Sequence, residues 1–178
     1  MSFAFLLLAL VASANPCRVR LVLPDRPAAV ALGALIAFGV ASGVAAVGST
    51  VLDALDITPE TFRLASAVVL ALEGVRALVL ARPAREPELG GLGAALVPVA
   101  FPLLLTPGVV MLALTAGGDD IVGWAVGALG VAYALVLLST FIPRSTRADA
   151  LLAAGGRLLG AVEIAAGIAL AVDSLHDV

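Results

Sequence analysis

Six long apolar blocks constrain this chain more than any motif in it. They run over roughly 3–23, 28–52, 59–81, 92–116, 120–142 and 149–172. A helix needs about 20 apolar residues to cross a hydrocarbon layer. Blocks two, three, five and six reach that length unbroken, and blocks one and four are each interrupted once. The polar stretches between them are short. The longest, Arg82 to Gly91, holds Pro83, Pro87 and two glutamates. No soluble domain fits between spans. The blocks are continuous rather than alternating, which argues against a β-barrel.

Composition agrees. Hydrophobic residues make up 62% and charged residues 13%, with a mean hydropathy of +1.15. A soluble domain is nearer 45–50% apolar and about 25% charged. A chain this short has no interior large enough to hide so much apolar surface, so lipid must act as its solvent. The bilayer is therefore the expected partner, and nothing is basic enough to suggest nucleic acid. Cys17 is the single cysteine, so no intrachain disulfide is available. Residues 1–14 end in Ala-Ser-Ala like a signal peptide but carry no positive side chain. They are expected to be a retained segment.

The two interruptions share one chemistry. Block one breaks at Asn15-Pro16 and block four at Thr106-Pro107, followed by Gly108. Asn and Thr are helix N-caps, and proline suits the first helical position. Each pair reads as a helix restarting inside the membrane. The third blocks also correspond, RLASAV at 63–68 with RLLGAV at 157–162. An odd number of spans per copy makes the second copy inverted. The expected fold is all-α: six transmembrane helices as two inverted three-helix repeats, 1–81 and 92–178, joined by a polar linker at 82–91.

Charge placement supports that topology. With blocks one and four crossing, Arg18, Arg20, Arg26, Arg82, Arg85, Arg144 and Arg147 share one side. Asp53, Asp56, Glu60, Asp119, Asp120, Asp173 and Asp177 share the other, with Arg63 their lone counter-charge. Such a bias puts the arginines in the cytoplasm. The expected location is a bacterial cytoplasmic (inner) membrane, with both termini on the non-cytoplasmic side.

Half-helix N-termini present free N–H groups to an anion. Paired breaks in inverted repeats mark the binding site of many secondary transporters, though one proline break alone is an ordinary kink. Asn15, Pro16, Thr106, Pro107 and Gly108 are the candidate substrate-binding residues. Ionisable groups within spans are costly and face a cavity or a partner. Glu73, Arg76 and Glu163 are candidates for coupling or gating, or for plain structural pairs: Glu73 with Arg76, and Glu163 with Arg157. Arg63 and Arg157 are expected to open their helices. Gly39/Gly43, Gly123/Gly127 and Gly156/Gly160 read as helix-packing pairs and make a homo-oligomer plausible. An enzyme is not expected. The one histidine, His176, lies in the tail, no Asp sits inside a span, and no catalytic or metal set is apparent. No cofactor is called for, and a proton or sodium ion is the candidate coupling ion.

Four motifs in order resemble the MarC/SnatA family of six-helix membrane proteins across nearly the whole chain. They are ANP at 14–16, DITPETFRLASAVVLALEGVRAL from Asp56 to Leu78, PVAFPLLLTPG from Pro98 to Gly108, and the Arg157–Gly160 element. The chain departs from the family pattern at Thr106, where the family has glycine, at Ser66 and Ala67, where it has paired glycines, and at Glu73 and Glu163. The resemblance implies a carrier of small neutral amino acids such as glycine and alanine. The residues alone leave two alternatives open, a non-transporting scaffold or subunit, and a channel or exporter for another small solute.

Overall fold

The computed structural model describes residues 1–23, 27–79, 93, 95–143 and 145–176. The expected linker at 82–91, with Arg82 and Arg85, lies outside them, as do Arg26, Arg144 and Asp177. The regular elements among the described residues are helices: α1 (Phe3–Ala14), α2 (Pro16–Val22), α3 (Pro27–Ala46), α4 (Gly48–Ala54), α5 (Pro59–Val79), α6 (Pro107–Gly118), α7 (Val122–Ser139) and α8 (Thr146–His176). Ahead of α6 lies a wide-turn segment (Ala95–Leu104) whose backbone is extended at Val97 and Phe101, so block four is interrupted there as well as at Thr106.

The chain is a multi-pass membrane protein. Among the described residues four helical stretches are long and apolar enough to span: Phe3–Val22 (α1 with α2), Pro27–Ala46, Val122–Ser139 and Thr146–His176. The bent pair Ala95–Leu104 and Pro107–Gly118 makes a fifth if counted as one span. The remaining expected block, the third, is α5. It has 21 residues, but Glu60, Arg63, Glu73 and Arg76 dilute its apolarity. Leu35, Val79, Leu138, Phe141 and Leu158 all stand exposed on the bundle surface. A water-soluble fold would bury many of these, whereas lipid accepts them.

The interior is made of small and aliphatic side chains. α6 lies deepest, with Gly108, Val109, Leu112, Ala113, Thr115, Ala116 and Gly117 buried. It packs against α3, α4 and α5 and more lightly against α1 and α7. α5 and α8 make the most extensive helix contact, and they run antiparallel. The Ser174 hydroxyl donates to the Glu60 carbonyl at 2.8 Å, while the other half of α5 meets Gly160 of α8. A Cβ on Gly74 would stand 2.6 Å from the Gly160 carbonyl oxygen, and one on Gly160 would stand 2.9 Å from that of Gly74. Only glycine allows backbones so close. Of the three expected small-residue pairs, Gly156/Gly160 thus packs. Gly39, Gly43 and Gly123 face open space.

The second block differs from expectation. It is not one run over 28–52 but divides at Val47 into α3 and α4. The turn lays Gly48 on α6, where a Cβ would meet Gly117 Cα at 2.7 Å. The last block is longer than its apolar core. At 31 residues α8 extends about 46 Å at 1.5 Å per residue, beyond the roughly 30 Å of hydrocarbon. α8 therefore begins at Thr146, and Arg157 lies inside it instead of opening it.

Candidate functional site: the two breaks and the glutamates between them

The two breaks form by the same local chemistry but have different shapes. Asn15 adopts a left-handed conformation, φ 41° and ψ 72°, ending α1 and starting α2. Asn tolerates this region better than most residues. Its Oδ1 accepts from Arg18 N–H at 3.1 Å, capping α2. Its Nδ2 donates to the Gly156 carbonyl of α8 at 3.1 Å. Pro16 follows at the first helical position. The two arms still run as one span. At Thr106 the chain bends by 67°. The Thr106 Oγ1 accepts from Val109 N–H at 3.2 Å, and Pro107 again sits first in the new helix.

Gly108 is the point where spans meet. A Cβ there would stand 2.5 Å from Glu73 Oε2, 2.9 Å from Ser13 Oγ and 3.1 Å from Glu163 Oε1. α5, the end of α1 and α8 thus each place a polar atom against the start of α6. Glu73 Oε2 accepts from Gly108 N–H at 2.8 Å. Glu163, 3% exposed, accepts on Oε1 from the Ser13 hydroxyl at 2.6 Å. Each glutamate therefore finds its hydrogen bond across the bundle. Arg76 and Arg157, the partners that sequence spacing offered, are exposed. The positive end of α6 already faces a carboxylate, as its dipole favours. Its N–H groups over the first turn are met by Glu73, by Thr106 Oγ1 and by the Thr106 carbonyl, which accepts from Val110 at 3.1 Å.

The surrounding charges come from few elements. Arg18 lies on α2 and Arg76 on α5, one turn after Glu73. Both guanidiniums are on exposed residues. Arg20, only 5% exposed, donates through Nε and Nη2 to the Ile142 carbonyl at 3.0 and 2.6 Å. It fastens α2 to the end of α7.

Arg63 stands apart from these groups. Its Nη2 and Nε reach Asp119 Oδ1 at 2.9 and 3.1 Å, closing a largely buried ion pair at the far end of α6. Sequence reasoning missed Ser13 and the convergence on Gly108. The signal available was the near-equal spacing from each break to its glutamate, 15 to 73 and 106 to 163. Among the described residues no three His, Cys, Asp or Glu side chains gather as a metal site. A cavity of about 210 Å³ opens between Met1, Phe5 and Asp173 at one end of the bundle and includes none of the candidate residues.

No family model, curated protein or solved structure matches this chain.

Proposed function

We propose that this chain is a secondary carrier of a small zwitterionic solute, built as six spans in two inverted halves. Neutral amino acids such as glycine and alanine are the class its MarC/SnatA-like motifs suggest. One observation carries the reading: two glutamates from different spans meet a serine at the broken start of α6, inside an apolar bundle. Ionisable side chains at such depth are expensive, and that expense goes with use in substrate or ion passage. The arrangement is also crossed. Glu73, of the first half, reaches the break of the second. Glu163, of the second, reaches Ser13, two residues before the break of the first. The antiparallel contact of α5 with α8 supports reading them as the third spans of two inverted halves.

In this reading the glutamates receive the solute's ammonium group or a coupling proton. The N–H groups of α6 receive its carboxylate when Glu73 withdraws. The solute site stays at Asn15, Pro16, Thr106, Pro107 and Gly108, with Glu73, Glu163, Arg76 and Arg18 governing access.

One observation favours a second reading, a structural role for the break. The first-turn N–H groups of α6 are all satisfied from within the chain, which suits a scaffold or subunit.

Purified protein in liposomes decides between them. Labelled glycine and alanine are offered with a proton gradient, a sodium gradient or neither. Gradient-driven accumulation, reduced by Thr106→Ala and Asn15→Ala, is the expected result. Folded protein that passes no solute under any gradient refutes the carrier.

A further inference from the structure

The hydrogen bond between Glu73 and Gly108 has the properties of a latch. It joins α5 to α6 at the bend between the wide-turn segment and α6, where the chain changes direction by 67°. It is made by one ionisable oxygen and one N–H. Beside it stands a second acid, Glu163, whose Oε1 is in reach of the same point. Two carboxylates this close in apolar surroundings resist being charged together, and they titrate as a pair.

Among the described residues the elements around the pair carry few other titratable groups near it. α1 and α6 carry no ionisable side chain. α2 brings Arg18, with Arg20 committed to Ile142 and Cys17 against Gly155 of α8. α5 adds Arg76, and α8 adds Arg157. Arg18, Arg76 and Arg157 are all exposed.

The two glutamates are not equivalent. Glu73 accepts from a backbone N–H at the positive end of α6. Glu163 is the more enclosed and accepts from a neutral hydroxyl, that of Ser13.

We propose that Glu73 and Glu163 hold one proton between them, resident on Glu163, and that a second proton, taken from water onto Glu73, frees the start of α6 from α5, while Ser66–Thr115 and Arg63–Asp119 still hold its far half. The step balances simply. The proton adds to Glu73, the carboxylate becomes a carboxylic acid, and the charge-assisted bond to Gly108 gives way to a weaker neutral one. In the carrier reading, on which only its use rests, this proton frees the α6 start for the solute's carboxylate.

The test needs no solute, so its failure and the carrier's are separate events. Full-length protein in lipid nanodiscs is examined by infrared difference spectroscopy across pH. The expected result is one protonated buried carboxyl at neutral pH that disappears in Glu163→Gln. A second appears on acidification and is missing in Glu73→Gln. Hydrogen exchange gives an independent readout. Glu73→Gln imitates the protonated state, so the Gly108 amide should exchange about ten- to a hundredfold faster, the worth of a charge-assisted bond. Wild-type protein with no protonated carboxyl at neutral pH overturns the proposal, and so does a band that survives Glu163→Gln. Unchanged exchange in Glu73→Gln overturns the latch.

Discussion

Asn15 allows a prediction with a reversed sign. Inside a helix alanine is more stable than glycine by about 1 kcal/mol. At position 15 the order should invert. The left-handed backbone, φ 41°, costs alanine roughly 1–2 kcal/mol and glycine nothing. Replacing Asn by Ala also removes the cap on Arg18 N–H, about 1 kcal/mol, and the bond to Gly156, another ~1 kcal/mol. Asn15→Ala should therefore cost about 3–4 kcal/mol. Asn15→Gly loses the same two bonds without the strain, and glycine is a tolerable N-cap, so about 1–2 kcal/mol is expected. For a chain of this size 1 kcal/mol moves Tm by about 2–4 °C, so glycine should exceed alanine by several degrees. The assay is thermal unfolding in detergent micelles, read by fluorescence. Trp124 is the only tryptophan and packs edge-on against Phe3 of α1, centroids 6.3 Å apart. Its emission reports whether α1 is still docked on α7. If Asn15→Ala melts at or above Asn15→Gly, the left-handed junction between α1 and α2 is wrong.

Other perturbations follow from the same contacts. Gly74→Ala and Gly160→Ala push a methyl into facing backbone and should each cost about 1–3 kcal/mol, whereas Gly39→Ala meets open space and should leave Tm unchanged or slightly raised. Arg63→Ala strands Asp119 at a largely buried position and should cost about 3 kcal/mol or more, with Arg63→Ala/Asp119→Ala recovering part of it in the same melts. Tyr133→Phe removes only the bond to the Leu104 carbonyl, 3.2 Å, so a loss of about 1 kcal/mol is expected. Gly108→Ala drives a Cβ against Glu73, Ser13 and Glu163. It should abolish gradient-driven uptake in liposomes while the protein still elutes as a folded species.

Much of this architecture is legible in the residues, because lipid imposes simple rules. Apolar run length fixes where helices lie. Asn15-Pro16 and Thr106-Pro107 announce their own breaks, since a cap followed by proline has few other uses. Partners are harder to read. Glu73 and Arg76 are three apart on one helix, a spacing that suggests a pair, yet Glu73 turns to a backbone N–H of another helix. Its choice depends on a crossing set by Gly74 and Gly160, and glycine spacing alone does not say which pair of many will touch. Nor do the residues announce the turn at Val47: Gly48 follows it, but only the structure shows that glycine lying on Gly117 of α6. Arg157 misleads for a related reason. The helix around it continues on both sides because the preceding turns are rich in good helix formers such as Ala and Leu, so a charge within the run does not mark its start.

The contact between Gly74 and Gly160 has a mechanical consequence. Where two helices meet this closely, with only Ile164 and the Ala77 methyl beside the glycines, few side chains must be repacked when one tilts on the other. The crossing then behaves as a fulcrum. Small rotations leave it in place, and the displacement grows along each arm towards the distant ends of α5 and α8. Glu73 and Glu163 lie close to that fulcrum, where the lever arm is short, while Glu60 and Ser174 lie at its tip. Spin labels near the tips of the two helices should register any rocking of the bundle as a change in separation, and labels flanking residues 74 and 160 should stay still.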